Sequence, residues 1–111
     1  MRGEDDPDTL SGARNLALDL TALGEYQLAR ELDDEILARQ RRVLGEDHPE
    51  TLSAARNLAV DLTSLGEHAL ARDLDRDILA RRRRVLGDDH PDTLQSVDDL
   101  AFDLERLHEE S

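Results

Sequence analysis

A 42-residue repeat organises almost the whole chain. Residues 7–48 and 49–90 are identical at 31 of 42 aligned positions, and residues 91–111 repeat the first half of the same unit. Repetition at this period predicts a solenoid, in which each unit buries its apolar face against its neighbours. We therefore expect a single domain over residues 1–111, made of repeat one (7–48), repeat two (49–90) and a C-terminal half repeat or capping helix (91–111).

The apolar spacing within each unit predicts two amphipathic helices, and hence five helices in all. Gly24 and Gly45 are expected to end the two helices of repeat one, because glycine enters the left-handed conformation of a helix C-terminus at low cost. The first helix carries its apolar face at Leu10, Ala13, Leu16, Ala17, Leu20 and Leu23. The second is expected to bury Leu28, Ala29, Leu32, Ile36, Val43 and Leu44. The fifth helix is expected to present a polar capping face made of Asp98, Asp99, Asp103 and Glu105.

The composition excludes several classes of function. The chain has 14 arginines and no lysine against 27 acidic residues, a net charge of −13. This charge repels nucleic acids and anionic membranes, so we expect neither as a partner and favour a basic protein or peptide. With no cysteine, the chain has no disulfide, zinc–thiolate site or thiol nucleophile. It also has neither an apolar run near the ~20 residues of a membrane span nor a signal-peptide core, which predicts a cytoplasmic protein.

Two groups of residues suggest more specific chemistry, and each has a simpler interpretation. The arginine-rich runs at 39–42 and 81–84 lie where cations complement the negative end of a helix dipole, and acidic loops follow them. His48 and His90 lie one repeat apart, too far to share a metal ion, so we interpret them as loop caps. No Ser–His–Asp set, glycine-rich phosphate loop or metal-ligand spacing is present. We expect a non-catalytic protein without cofactor or metal.

The repeat unit resembles the tetratricopeptide repeat in its longer, 42-residue form, which occurs in kinesin light chains and in bacterial signalling proteins. The resemblance implies an all-α, right-handed superhelical solenoid of antiparallel helix pairs, with about two and a half repeats. At positions where a packing aromatic is common, this chain has Ala13, Ala55, Asp33 and Asp75. The matching residues are Asn15-Leu16-Ala17, Gly24-Glu25-Tyr26 and Ala29-Arg30 in the first copy, Asn57-Leu58-Ala59, Gly66-Glu67 and Ala71-Arg72 in the second, and the linker Arg-Val-Leu-Gly-(Glu/Asp)-Asp-His-Pro in both.

The resemblance also implies a concave groove, lined by the first helix of each pair, that holds a peptide or protein segment. Its side chains would include asparagine, which both donates and accepts hydrogen bonds, and arginine, which can bind a carboxylate through two bonds. The alternative is that Arg14 and Arg56 pair with neighbouring acids while Asn15 and Asn57 orient adjacent helices. The implied groove residues are Ser11, Arg14, Asn15 and Leu18 in repeat one, Ser53, Arg56, Asn57 and Val60 in repeat two, and Gln95, Asp98, Asp99 and Phe102 in the half repeat.

Two functions from different classes fit the sequence. The first is a non-catalytic scaffold that binds a protein or peptide in the groove. The second is a self-associating structural unit, because nearly identical repeats can stack between chains as well as within one. Self-association would use Leu100, Leu104 and Leu107 of the fifth helix, by end-to-end stacking or by exchange of a helix.

Overall fold

The computed structural model describes residues 7–110, and side chains over 12–109. Residues 1–6 and 111 of the predicted domain lie outside this description. Consecutive helices pack on one another throughout, and no strand occurs in the described range. The chain is therefore an all-α helical-repeat solenoid, as predicted. Its helices are α1 (Pro7–Ala22), α2 (Tyr26–Leu44), α3 (Pro49–Ser64), α4 (His68–Leu86) and α5 (Pro91–Glu110).

The two loop histidines cap the helices that follow them. The Nδ1 atom of His48 accepts a hydrogen bond from the backbone N–H of Glu50 at 3.1 Å, and that of His90 accepts one from Asp92 at 3.0 Å. Each bond satisfies a backbone donor that the first turn of a helix leaves without a partner. Pro49 and Pro91 come next, where the fixed φ of proline suits the start of a helix. The structure thus assigns both histidines the capping role that the sequence suggested.

The core is small and almost entirely aliphatic. It lies between α2, α3 and α4, with one buried contribution from α1. The largest fully buried side chains within it are Ile36 and Ile78, which occupy the same repeat position. This core has no aromatic residue and depends on close packing of alanine, leucine and isoleucine: Ala17, Ile36, Leu37, Ala54, Ala55, Leu58, Leu62, Ala71 and Ile78.

Several leucines that the periodicity assigned to the buried side are exposed. Leu16 is exposed although Leu58, at the same repeat position, is buried, because the described range has no helix before α1 to cover it. Leu28 and its counterpart Leu70 are both exposed, which places this position on the outer surface of the second helices. The same correction applies to Leu23, Val43 and Leu44.

The predicted capping face of α5 is wrong at one position. Asp98 and Glu105 are exposed, and Asp99 is half-buried. Asp103, in contrast, is almost completely buried. It occupies the repeat position of Asp61 in α3, which is also buried, so the inward-facing aspartate belongs to the repeat rather than to a solvent-facing cap.

Gly12→Ala is expected to raise the free energy of unfolding by about 0.5–1 kcal/mol, because alanine restricts the unfolded chain more than glycine does. Gly12 lies within α1, and a Cβ added there meets no atom within 4 Å. Ala54 already occupies the same position in α3. Urea unfolding followed by circular dichroism measures the change. Gly24→Ala is the control and should destabilise, because Gly24 has φ +81°; a loss of stability in Gly12→Ala would contradict the prediction.

Candidate functional site

One apolar side chain from each first helix of a pair forms an exposed stripe across the solenoid. Leu18 of α1, Val60 of α3 and Phe102 of α5 occupy the same repeat position, and all three are exposed. Hydrogen bonds between side chains join α1 to α3 and α3 to α5, which holds the three helices side by side. We call the surface of these helices that carries the stripe the groove. The predicted apolar groove residues therefore share one exposed surface.

A cavity of about 140 Å³ opens in the groove between α3 and α5. Its apolar walls are Ala59, Val60 and Phe102. The polar lining includes Arg56 and Asp99, together with Thr63, Ser64, Asp75 and Asp103. The structure thus brings four predicted groove residues together around one cavity: Arg56, Val60, Asp99 and Phe102.

Arg56 and Asp99 form an ion pair at this cavity. The Nε atom of Arg56 donates to Oδ2 of Asp99 at 2.8 Å, and its Nη2 atom donates to Oδ1 at 3.4 Å. The guanidinium therefore already binds a carboxylate of its own chain, which is the alternative that the sequence left open for Arg56. One repeat earlier, Arg14 and Asn57 occupy the positions of Arg56 and Asp99. That pair of positions therefore has an amide in place of the carboxylate.

The remaining predicted groove residues do not line this cavity. Arg14 and Asn57 are half-buried. The side chain of Ser11 lies outside the described residues. Asn15, Ser53, Gln95 and Asp98 are exposed on the first helices of their repeats.

Phe102 also contacts a cation. The guanidinium carbon of Arg106 lies 5.0 Å from the centroid of the Phe102 ring, within the range of a cation–π interaction. One face of the ring is therefore covered by the chain itself. Arg106 is not among the predicted groove residues, although its spacing of four residues from Phe102 places both on one face of a helix.

Two buried pairs of aspartates lie behind the groove, and the sequence analysis missed both. Asp33 of α2 meets Asp61 of α3, and Asp75 of α4 meets Asp103 of α5. The four side chains are between 0% and 4% exposed. Burial, then the hydrogen bond and negative charge of the partner carboxyl, raise the pKa of Asp33 and of Asp75 to about 8. Each pair must therefore hold one proton at neutral pH.

A threonine from the preceding first helix joins each pair. The hydroxyl of Thr21 in α1 lies 3.0 Å from Oδ1 of Asp61, and that of Thr63 in α3 lies 3.2 Å from Oδ1 of Asp103. Each cluster of two carboxyls and one hydroxyl thus connects three helices. The signal available in the sequence was an aspartate at the same apolar-face position of every first helix: Asp19, Asp61 and Asp103.

The arginine-rich run at 81–84 is paired with acidic side chains of the loop before α3, and Arg41 of the first run lies 3.7 Å from Glu46 of the same loop. Arg81 binds Asp47 at 2.8 Å and Glu46 at 3.1 Å, and Arg84 binds Asp47 at 2.7 Å, so the end of α4 is tied to the loop before α3. Hydrogen bonds from Arg81 and Arg84 lower the pKa of Asp47. Arg81 also binds Asp77, one helical turn earlier on α4, at 2.9 Å. This pairing supports the helix-end interpretation over a nucleic-acid surface.

Arg82 differs from the rest of its run because it is buried. It is only 3% exposed, and its Nη1 atom donates to Oγ of Ser96 at 2.9 Å and to the carbonyl oxygen of Asp92 at 3.1 Å. Burial lowers its pKa. Gln40 and Ala54 occupy the positions of Arg82 and Ser96 at the junction of α2 and α3. The two junctions are thus chemically different.

Helix α5 carries a row of apolar side chains that are exposed or half-buried. Of the residues predicted for self-association, Leu104 is exposed and Leu100 and Leu107 are half-buried. Leu94 and Val97, which were not among the residues predicted for self-association, are exposed on the same helix. Their counterparts on α3, Leu52 and Ala55, are buried. We call this surface, made of Leu94, Val97, Leu100, Leu104 and Leu107, the α5 face.

Within residues 7–110, no group of three or more histidine, aspartate or glutamate side chains is arranged to hold a metal ion. None of the helices in this range combines the length and apolar character needed to cross a membrane.

Comparison with known proteins places the chain among helical repeats. The family model described as tetratricopeptide repeat matches residues 8–83 and 54–111. Two solved structures of nearly identical TPR-like repeats, from a Podosopora anserina protein described as a kinesin light chain, superpose with TM-scores of 0.85 and 0.84 at 27% sequence identity. Both alignments cover 97% of this chain and 51% of the solved chain, so it spans about half the length of each. No curated protein matches the chain.

Proposed function

The chain belongs to the tetratricopeptide repeat family, whose members generally serve as scaffolds for protein–protein interaction, and we propose that it binds a peptide or protein segment in the groove. The observation that carries this proposal is the exposed stripe of Leu18, Val60 and Phe102 beside the cavity between α3 and α5. Exposed apolar side chains aligned across three helices supply the apolar contact area that binding requires. The chain would act in the cytoplasm, without catalysis or cofactor.

The net charge favours a basic partner segment. A charge of −13 attracts cations at long range and raises their association rate at low ionic strength. The charged groups at the cavity itself are internally paired, as Arg56 with Asp99 shows. We therefore expect basic residues to flank the part of the ligand that contacts the stripe.

Val60→Glu is expected to weaken binding at least about tenfold, which corresponds to about 1.4 kcal/mol. The substitution puts a charge in the centre of the apolar stripe, where it must be desolvated when a ligand binds. Random 12-residue peptides displayed on phage provide the probes, and fluorescence anisotropy of the selected peptides gives their affinities. Asn57→Ala should also weaken binding by removing a predicted contact to the ligand backbone.

Val85→Glu is the matched control, because Val85 is a similarly exposed valine on α4, outside the groove. It should leave the affinity of the same peptides unchanged. If selected peptides bound wild type, Val60→Glu and Asn57→Ala equally well, the groove assignment would be wrong. A lack of basic residues among the selected peptides would contradict the charge argument alone.

A second candidate function, self-association, is favoured by the exposure of the α5 face. Leu104→Glu would then convert an oligomer to a monomer, because a carboxylate would replace an apolar contact at the interface. Light scattering coupled to size-exclusion chromatography, over a wide range of protein concentrations, measures the mass. A wild-type monomer at every concentration would exclude this function, whereas groove binding predicts that monomer.

A further inference from the structure

We propose that the two carboxyl pairs, Asp33 with Asp61 and Asp75 with Asp103, are proton-operated latches that hold the groove-lining helices together and release them when the shared proton is lost. The term latch denotes one pair with its threonine. This inference deepens the proposed function, on which its link to partner binding rests, by assigning a means of regulation to the same groove.

The geometry of each latch requires a proton. The Oδ2 atoms of Asp61 and Asp103 are buried, and neither has a hydrogen-bond partner among the described residues. Two carboxylates in contact, both charged and shielded from water, would repel each other strongly. One proton shared by each pair removes that repulsion and supplies the missing hydrogen bond.

The charged groups around the two latches differ. Around Asp33, the nearby charges are Asp61 on α3 and Asp34 on its own helix, and both are negative. Around Asp75, the negative charges of Asp103 and Asp99 on α5 are opposed by Arg56 on α3, with Arg82 nearby on its own helix. The side chains of α1 contribute the uncharged hydroxyl of Thr21 to the first latch. The second latch alone is therefore moderated by cations.

Each latch connects one second helix with the two first helices on either side of it. Thr21, Asp33 and Asp61 join α1, α2 and α3, while Thr63, Asp75 and Asp103 join α3, α4 and α5. Thr63, Asp75 and Asp103 also line the cavity of the groove. A second negative charge in either pair would push the helices apart at the base of the groove, so loss of the proton changes the spacing of the helices that carry the stripe.

The direction of the pH effect follows from where the protons bind. Asp33 and Asp75 keep their protons in the folded chain up to a pH of about 8, whereas an unfolded aspartate loses its proton near 3.8. The stability supplied by the bound protons is therefore complete below pH 3.8, declines as pH rises above it, and is lost once pH passes about 8. The latches are closed in mildly acidic solution and open in alkaline solution.

Two measurements on the chain alone test the latches. In a carboxyl-carbon NMR titration, we expect one carboxyl resonance of each pair to change with a midpoint near pH 8. Because the chain has no cysteine, two can be introduced, at Ala22 of α1 and Glu109 of α5, to carry fluorescent labels. Energy transfer between the labels should fall as pH is raised from about 6 to about 9, reporting separation of the helices.

The variants Asp33→Asn and Asp75→Asn replace one carboxyl of a pair with an amide that donates to the other without titrating. Each should remove the alkaline midpoint of its own pair and keep that of the other, and the double variant should show no pH-dependent change in energy transfer. Asp19→Asn is the matched control, since Asp19 occupies the repeat position of Asp61 but is exposed, and it should behave as wild type.

The proposal would be overturned if all aspartates titrated near their ordinary value, or if the alkaline titration left energy transfer unchanged. Neither measurement uses a ligand, so a failure to find a groove ligand would refute the proposed function and leave the latches standing. Where a peptide selected on the groove is available, its affinity should differ between about pH 6 and about pH 9 for wild type and stay constant for the double variant. Equal pH dependence in both would refute regulation of the groove.

Discussion

Replacing Leu62 with alanine is expected to lower the free energy of unfolding by about 2–5 kcal/mol, and the same change at Leu104 by only about 1 kcal/mol. The two leucines occupy the same repeat position, in α3 and α5. Leu62 is 5% exposed and belongs to the core, whereas Leu104 is 43% exposed because no helix follows α5 in the described range. Truncating Leu62 therefore leaves a cavity in the core. At Leu104, water fills most of the space that the removed atoms occupied.

Urea unfolding of the two variants, at a concentration where the chain is monomeric, measures this difference. Both variants replace leucine with alanine inside a helix, so the change in helix propensity largely cancels in the comparison. Equal losses at the two positions would contradict the prediction and would mean that the α5 face is covered. Repeating the measurement at high protein concentration shows what covers the α5 face. If a second copy covers it, the loss at Leu104 rises with concentration; if the same chain covers it, the loss does not change.

The helices and their ends could be predicted from the sequence because local signals determine them. Apolar residues at three- and four-residue steps predict which segments are helical, and His48 followed by Pro49 marks a helix start that the structure confirms. Gly24 and Gly45 end helices with positive φ, as expected for glycine. These signals act over a few residues, so the repeat reproduces them wherever it occurs.

Burial was harder to predict because it depends on neighbouring helices. Leu16, Leu58 and Leu100 occupy the same repeat position, yet Leu58 is buried, Leu16 is exposed and Leu100 is half-buried. Of the helices that carry these three leucines, only α3 has a neighbouring helix on each side in the described range. Periodicity identifies the apolar face of a helix, but the number of neighbours that cover that face is a property of the whole array.

The buried aspartates were missed because aspartate is normally a surface residue. The sequence did show Asp33 and Asp75 where a packing aromatic is common, but it gave no indication that Asp61 and Asp103 face them across a helix boundary. Recognising such a pair requires knowing which second helix packs on which first helix. The ion pair of Arg56 with Asp99 at the cavity could not be predicted for the same reason. The two residues lie 43 positions apart and meet only because their helices pack together.

Arg82→Ala is expected to lower the free energy of unfolding by about 1.5–3 kcal/mol, the range for loss of hydrogen bonds to a charged group. The guanidinium donates from α4 to two acceptors in α5, Ser96 and the backbone of Asp92, and it is almost completely buried. Removing it leaves both acceptors without this donor in a place where water replaces it poorly. Chemical denaturation measures the loss.

The other junction of the chain supplies the control for this prediction. At the junction of α2 and α3, Gln40 and Ala54 occupy the repeat positions that Arg82 and Ser96 occupy at the junction of α4 and α5. All four side chains are almost completely buried. Arg82→Gln alone should destabilise by leaving the Ser96 hydroxyl without its donor, and adding Ser96→Ala should recover part of the loss. Conversely, Gln40→Arg alone should destabilise, because the new guanidinium would face the methyl side chain of Ala54, which cannot accept a hydrogen bond. If all three changes were neutral, the junctions would be interchangeable and Arg82 would not contribute to the α4–α5 contact.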